Sequence, residues 1–346
     1  MKFYKIIIAA VCMLALLATT DFSKAQAVDI ALSQVGDPGN AADGTGYGAV
    51  SYDYAIGTFD VTLTQYCTFL NDVATADPYG LYNSSMATAG NYSGDSTGAG
   101  ILQAGASGSY VYSVIGTSGS DPVSYVSWLD AARFCNWLQN GELTTGTEGA
   151  NTTEDGAYTL NGDIGSGQET KNANATWWIP SEDEWYKAAY YDPNYGGLGV
   201  GGYWTYATRS NTAPGNTVGS GTNEANYYNG VYSTSEDSSY SAFQNYLTPV
   251  ESFTNSASYY GTYDQSGDVF QWTDATSSDD RVLRGGDWYD GSFAMESSYR
   301  LEDTPYYESY DIGFRVASDA IPEPSTWTMM AAGVGALVAF RRHRRS

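Results

Sequence analysis

Two short stretches carry most of the fold information in this sequence: Gly267-Asp268-Val269-Phe270-Gln271-Trp272 and Leu283-Arg284-Gly285-Gly286-Asp287-Trp288. In each, a few apolar residues stand beside glycine and a carboxylate, and a tryptophan closes the run. Neither stretch is long enough for an amphipathic helix, and glycines in such runs mark bends or close backbone approaches. We therefore predict short strands here, over Asp268–Trp272 and Val282–Leu283.

Upstream of these stretches, three segments have the sequence of a helix start, in which Ser or Thr precedes Gln, Glu or Asp by three residues. The segments are Thr62-Leu63-Thr64-Gln65, Ser127-Trp128-Leu129-Asp130 and Ser181-Glu182-Asp183-Glu184. The second continues with apolar residues at helical spacing, and Cys135 belongs to that series. This pattern predicts three helices and a Cys135 thiol that faces the core.

The rest of the chain contains little regular periodicity. Further strands are predicted over Tyr52–Phe59, Asp121–Tyr125 and Ile312–Ala317. Residues 84–120, 141–175 and 192–242 are rich in Gly, Ser, Thr, Asn and Tyr, which indicates loops. Few helices, short strands and long loops together predict an irregular, loop-rich α+β domain.

Composition excludes several classes of function. The chain of 346 residues has 39 acidic and 15 basic side chains, one histidine and three cysteines. Binding to nucleic acid requires clustered Lys and Arg, so nucleic acid is not an expected partner. The single histidine, His343, lies in an arginine cluster near the end of the chain. Ser-His-Asp triads and histidine-based zinc or iron sites are therefore excluded.

Residues 1–27 have the features of a secretory signal peptide: a basic start, a short apolar run and the small-x-small exit Ala25-Gln26-Ala27. We predict cleavage after Ala27, and this removes Cys12 with the leader. The exported chain then keeps Cys67 and Cys135, which form either one disulfide bridge or two free thiols. Between residues 28 and 320, eight basic residues face 37 acidic ones, a formal charge of −29.

Residues 321–346 combine Pro322-Glu323-Pro324, an apolar run over Thr326–Phe340 and the arginine cluster. This order resembles the PEP-CTERM sorting signal of Gram-negative bacteria. The resemblance implies an exosortase-type processing protease as a partner, transient anchoring by a C-terminal transmembrane helix, and delivery to the cell surface or extracellular matrix. A permanent C-terminal anchor is the alternative, although 15 apolar residues are short for a bilayer.

Six motifs in order, spread over residues 47–318, resemble the sulfatase-modifying-factor family, which includes the formylglycine-generating enzyme. The motifs are Tyr54–Thr62, Pro122–Ala131, Ile179–Trp185, Gly261–Trp272, Leu283–Trp288 and Ile312–Ala317. The resemblance implies a fold related to the C-type lectin-like fold across residues 28–320. Arg284 and Arg315 stand beside glycines in apolar runs, and we expect their guanidinium groups to bind loop carbonyls.

The family's redox chemistry does not transfer to this sequence. Active members hold copper with two thiolates that follow the Arg-Gly-Gly-Ser-Trp motif, and the matching positions here are Asp290 and Met295. A carboxylate and a thioether are poor ligands for Cu(I). Glu296 is a further departure, because many relatives have arginine there. The copper cofactor and formylglycine generation are therefore not expected.

Calcium is the cofactor that the resemblance supports. Hard oxygen ligands are available in the stretch Gly267–Trp272, where Asp268 and Gln271 replace the family's Asn and Glu. A second site would use Asn226, the Tyr227 carbonyl and Asn245. The alternative is that these residues only form turns.

Three functions remain open. The first is a non-catalytic surface or matrix protein that binds an extracellular polysaccharide or a surface protein, as aromatic and small polar loop residues suit recognition. Its candidate contacts flank the family's cleft: Trp288, Tyr289, Asp290, Tyr299 and Arg300. The second is a hydrolase that uses a carboxylate pair, and the third is residual formylglycine generation.

Overall fold

The three predicted helices begin at the predicted caps. A computed structural model describes residues 27–320 and contains α1 (Leu63–Val73), α2 (Trp128–Gln139) and α3 (Glu182–Tyr190). The caps Thr62, Ser127 and Ser181 each accept a hydrogen bond from the backbone three residues on. In return, the side chain of that third residue binds the cap N–H, so all three capping boxes are complete.

The strands of residues 27–320 are short and form two larger sheets and two hairpins. In chain order they are β1 (Leu32–Val35), β2 (Tyr54–Gly57), β3 (Ile101–Ala104), β4 (Val111–Val114), β5 (Trp177–Trp178), β6 (Tyr191–Asp192), β7 (Gly202–Tyr203), β8 (Phe270–Ser277), β9 (Asp280–Arg284), β10 (Leu301–Asp303), β11 (Ile312–Gly313) and β12 (Ala317–Asp319). One sheet has the order β1-β2-β12-β5 and the other β10-β9-β8-β11, while β3 pairs with β4 and β6 with β7. All pairings are antiparallel except that of β11 with β8. The irregular α+β class is confirmed.

The hairpin of β8 and β9 holds the two stretches that the sequence singles out. Gln271 pairs with Arg284 and Trp272 with Leu283. After β9, Gly285 and Gly286 both take positive φ, and a Cβ on Gly286 would lie 2.9 Å from Met295 Cγ. The turn therefore needs glycine, and it directs Asp287 and Trp288 away from the sheet and into the loop region.

Aromatic side chains fill the core between α1, α2 and the sheets. Phe134 on α2 lies near Tyr66 and Phe69 on α1, with ring centroids 6.2 and 5.3 Å apart, and also contacts Phe314. Cys67 and Cys135 are both buried and both free, which resolves the alternative left open by the sequence. Burial raises the pKa of the Cys67 thiol to about 11 and that of Cys135 well above its ordinary value.

Arg315 and Arg284 act as predicted, as buried ties between loops. Arg315 donates to the carbonyls of Gly57 at 2.8 Å and Tyr263 at 2.9 Å, and to Gln271 Oε1 at 2.7 Å. Arg284 donates to the Ser297 carbonyl and to the carboxylate of Glu182 on α3. These guanidinium groups satisfy carbonyls at the end of β2 and in neighbouring loops.

Two strand predictions were wrong. Asp121–Tyr125 forms only an isolated bridge between Pro122 and Thr62, because proline lacks an N–H and Tyr125 has a φ of 59°. Ile312–Ala317 is two strands in different sheets, separated at the position where Arg315 turns inward. No strand was predicted from the sequence at β1, β3, β4, β5, β6, β7 or β10.

Residues 1–26 of the predicted signal peptide (1–27) lie outside the described residues, and so does the sorting signal over residues 321–346, with Pro322, Glu323, Pro324 and the apolar run. Within residues 27–320, no helix is long and apolar enough to cross a membrane.

Candidate functional site

Eight aromatic rings gather beside the turn that follows β9, and we call this group the aromatic platform. Its members are Tyr92, Tyr228, Tyr232, Tyr240, Tyr246, Trp288, Tyr289 and Tyr310. Three stacked pairs run through it: Tyr92 on Tyr240 at 4.3 Å, Tyr240 on Tyr246 at 5.5 Å, and Tyr246 on Trp288 at 4.7 Å. Edge contacts of Tyr289 with Trp288 and with Tyr92 close the group.

Hydrogen bonds from Asn91 hold the loops that supply these rings. Its amide donates to the carbonyls of Ser241 at 2.9 Å and Gln244 at 3.0 Å, and its Oδ1 accepts from the Tyr240 hydroxyl. The Asn91 carbonyl accepts from the Tyr125 hydroxyl at 2.9 Å. One buried asparagine thereby joins segments some 150 residues apart in the chain and fixes the positions of the rings.

The platform has a buried floor and an exposed surface. Trp288 and Tyr246 are each 1% exposed, whereas Tyr92 and Tyr289 are 45% and 42% exposed. Large aromatic side chains that remain exposed above a packed aromatic layer offer flat apolar faces to a ligand.

Three carboxyl groups lie next to the platform, those of Asp287, Asp290 and Asp311. Asp287 Oδ1 accepts from the backbone N–H of Tyr289 at 3.1 Å and of Asp290 at 2.6 Å. Burial, and then the nearby charges of Asp311 and Asp290, raise the pKa of Asp287 well above its usual range. Burial also raises the pKa of Asp311, so Asp287 and Asp311 are two neighbouring carboxyl groups whose protonated forms are both favoured. The site therefore presents both an acceptor and a carboxylic acid beside aromatic rings.

The structure brings together three of the five predicted contacts. Tyr289 lies on the exposed surface, Trp288 lies beneath it, and Asp290 is partly exposed at the edge, where burial and the charge of Asp311 raise its pKa. Tyr299 packs instead on Phe293, with ring centroids 5.5 Å apart, although the charges of Asp290 and Asp287 still reach it.

Arg300 is directed away from the platform. Its Nε lies 3.0 Å from Glu182 Oε1, in the same ion-pair group as Arg284, and its other nitrogen contacts Glu302. Six platform residues were not predicted from the sequence: Tyr92, Tyr228, Tyr232, Tyr240, Tyr246 and Tyr310. The abundance of tyrosine in the loops was the only available signal, and it gave no positions.

The positions that match the family's copper ligands do not fit copper. Met295 is fully buried and packs with Tyr206, Ala225 and Tyr227. Both thiols lie in the main core, away from this position, and are protonated at neutral pH because burial raises their pKa. A soft-metal site needs thiolates, and this donor set supplies none.

Two of the calcium candidates lie together. Asn226 Nδ2 donates to Asp268 Oδ1 at 2.8 Å, and the same carboxylate accepts from the N–H and hydroxyl of Thr248 at 3.2 and 2.9 Å. The Tyr227 carbonyl, adjacent in the chain, accepts from Asn216 at 3.2 Å. Asn226 Nδ2 also donates to the Tyr246 carbonyl at 2.9 Å, so the amide nitrogen and not Oδ1 faces Asp268. Of these two candidates, Asp268 is therefore the one that presents oxygen to a cation.

Gln271 and Asn245 do not fit the same ion. Gln271 Oε1 accepts from Trp185 at 2.6 Å and Arg315 at 2.7 Å. Asn245 donates to Asp121 at 2.8 Å and accepts from the Leu247 N–H at 3.1 Å. Across residues 27–320, no three His, Cys, Asp or Glu side chains are grouped so that they could hold a metal.

Comparison with known families confirms both resemblances. A family model described as a sulfatase-modifying factor enzyme 1-like domain matches residues 45–320, and a PEP-CTERM protein-sorting motif matches residues 320–345. Inactive C-alpha-formylglycine-generating enzyme 2 of Mus musculus is 37% identical over 83 residues. Its counterpart in Bos taurus is 36% identical over 83 residues. The match spans 21% of this chain and only 27% of each relative.

Solved structures are similar over most of the domain at low identity. Treponema denticola variable protein 1 has a TM-score of 0.49 at 19% identity, over 85% of this chain and 96% of its own. CarF has a TM-score of 0.46 at 19% identity, over 85% of this chain and 100% of its own.

Proposed function

This chain belongs to the sulfatase-modifying factor enzyme 1-like family and carries a PEP-CTERM sorting motif, and we propose that it is an exported, non-catalytic ligand-binding protein. The sorting motif supports export and processing by an exosortase-type protease, with a C-terminal anchoring signal. The proposed destination is the outer surface or extracellular matrix of a Gram-negative bacterium. The C-terminal segment is then the only part that contacts a membrane.

Loss of redox chemistry supports a binding role. Asp290 and Met295 stand where active relatives have cysteines, and the two remaining thiols are buried in the core. The curated relatives that match part of this chain are themselves described as inactive. An oxidase-type activity therefore has no ligand set in residues 27–320 to support it.

The hydrolase alternative has less support. A glycosidase acts with two carboxyl groups about 5–10 Å apart, across the bond that is cleaved. Asp287 is instead buried, and burial together with the charge of Asp311 raises its pKa well above the usual range. A side chain that is 2% exposed is not accessible to a sugar, so Asp287 does not fit either role in such a pair.

The exposed face of the aromatic platform is the observation that carries the proposal. Tyr92 and Tyr289 are partly exposed and in contact with each other, and Asp290 follows Tyr289 in the chain. The C–H faces of a sugar ring pack on aromatic rings, while carboxyl oxygens accept from its hydroxyls. We propose an extracellular glycan as the ligand, held on a lectin-like scaffold. The alternative ligand is a surface protein that packs against the exposed tyrosines of the platform.

The test is glycan-array and matrix-polysaccharide binding by the exported protein and two variants, Tyr92→Ala and Tyr289→Ala. Each substitution removes an exposed ring without opening the core, so affinity should fall about tenfold or more. Tyr306→Ala is the matched control, since Tyr306 is 54% exposed and lies outside the platform. Absence of binding by the wild-type protein, or equal loss in all three variants, would contradict the proposal.

A further inference from the structure

The start of the described chain is anchored by hydrogen bonds before its first strand. The Val28 N–H donates to Glu142 Oε2 at 2.5 Å, and the Asp29 carbonyl accepts from Gln65 Nε2 at 2.7 Å. The Ala31 carbonyl accepts from the Thr58 N–H at 2.8 Å, and β1 then pairs with β2. Val28 and Ile30 also pack against the main core. The segment is therefore held as far back as Val28.

Val28 is also the residue at which the exported chain is predicted to begin. Hydrolysis of the Ala27–Val28 peptide bond uses one water, gives Ala27 a carboxyl group and leaves an amine on Val28 that is protonated at neutral pH. The nitrogen that becomes this ammonium is the atom that already contacts the Glu142 carboxylate.

Glu142 has a fixed backbone conformation and, within residues 27–320, no Lys or Arg as an ion-pair partner. It follows the end of α2 with a φ of 57°, a left-handed conformation that is uncommon for residues other than glycine. Its N–H donates to the Trp137 carbonyl at 2.9 Å, which holds it in that conformation. No lysine or arginine within residues 27–320 forms an ion pair with Glu142.

We propose that removal of the leader after Ala27 creates a docked N-terminus, in which the Val28 ammonium forms an ion pair with Glu142. The uncleaved chain can make only the weaker contact between a neutral amide and a carboxylate. Removal of the leader therefore stabilises the attachment of residues 28–35 to α1, α2 and β2. This inference is independent of the ligand-binding proposal.

The ion pair has a defined pH dependence. Glu142 and Asp29 are the titratable groups beside the Val28 nitrogen, because the adjoining face of α1 carries Thr64, Gln65 and Thr68. A carboxylate partner raises the pKa of an α-amine above its ordinary value of about 8 by roughly one unit. The stabilisation is therefore present where the Val28 amine is protonated and Glu142 is ionised, and it is lost as pH rises through the raised pKa of the amine.

The first measurement is the N-terminal residue of the exported protein, by mass spectrometry of its N-terminal peptide. We expect Val28 with a free α-amine. An N-terminus at any other residue would overturn the proposal.

The second measurement compares two forms of the protein, one that starts at Val28 and one that keeps Ala27. The α-amine of the Val28 form should titrate about one pH unit higher, and an amine-reactive ester should acylate it several-fold more slowly at pH 7. In the Val28 form, Glu142→Gln should lower the pKa of the α-amine and raise its acylation rate to the values of the Ala27 form. The same substitution should leave both quantities unchanged in the Ala27 form. Peptide-level analysis separates the terminus from Lys171 and Lys187.

Glu142→Asp keeps the charge but shortens its reach, so it provides a second variant if Glu142→Gln does not fold. It should lower the pKa of the Val28 amine toward that of the Ala27 form. Equal amine pKa values in the Val28 and Ala27 forms, or a value insensitive to both substitutions, would refute the docked terminus.

Discussion

At the scale of single residues, buried polar side chains determine the local geometry of this protein. Asn91 fixes the loops of the aromatic platform, Arg315 ties β2 to neighbouring loops, and Asp268 joins Asn226 to Thr248. In a loop-rich domain such groups supply the hydrogen bonds that regular strands would otherwise provide.

Asp268 allows a test of calcium binding, which the family resemblance implies and which we propose for this residue. Burial and the charge of Asp264 raise the pKa of Asp268 well above its usual range, so a bound cation would restore the carboxylate. Calcium at 100 times its dissociation constant should then add about 2.7 kcal/mol to the free energy of unfolding, and a chelator should remove that gain. Thermal denaturation with and without calcium measures the shift.

Asp268→Ala should abolish the calcium-dependent shift in melting temperature. Asp287→Asn is the control, because it alters a buried carboxyl group at the platform and should retain the shift. A wild-type melting temperature that does not respond to calcium would refute calcium binding at Asp268.

At the scale of elements, helix α3 connects the fold to the site. Its cap is Ser181, and its Glu182 forms ion pairs with Arg284 at 2.6 Å and Arg300 at 3.0 Å. Arg284 ends β9 immediately before the glycine turn to the platform. The start of α3 and the platform are therefore coupled through one buried ion-pair group.

Ser181→Ala should lower the free energy of unfolding by about 1 kcal/mol, since it removes the acceptor for the Glu184 N–H. Ser181→Thr retains a hydroxyl acceptor and should stay within about 0.5 kcal/mol of wild type. Urea unfolding followed by tryptophan fluorescence measures both values. Equal stability of the two variants would show that the cap does not contribute.

At the scale of the whole molecule, several of the acidic side chains are buried and others are exposed. Burial raises the pKa of Asp60 and Asp274 to about 7, and of Glu148 and Glu308 to about 8. For the two glutamates, the charges of Asp77 and Asp130 add to this effect. The folded protein therefore binds more protons than the unfolded chain between about pH 4 and pH 8.

Because these pKa values are raised by folding, the stability that the groups contribute is complete below pH 4 and is lost as pH rises to 8. The melting temperature should therefore fall steadily from pH 5 to pH 8.5 in differential scanning calorimetry. Glu148→Gln should flatten the decline between about pH 5 and pH 8, because Glu148 binds a proton in the folded chain and not in the unfolded chain over that range. A melting temperature that rises over this range would contradict the prediction.

The local sequence was sufficient for the features that depend on neighbours in the chain. The capping boxes at Thr62, Ser127 and Ser181 predict their helices because cap and third residue bond within one turn. The ordered motifs identified the family, and Cys135 was correctly placed in the core.

Features that join distant segments were accessible only from the folded chain. The platform unites Tyr92, Tyr240 and Trp288 from three separate loops, and its geometry follows from Asn91 and a glycine turn. The split of Ile312–Ala317 into two sheets likewise follows from burial of Arg315. Periodicity describes one element at a time, whereas contacts between loops are set by packing and hydrogen bonding across the whole domain.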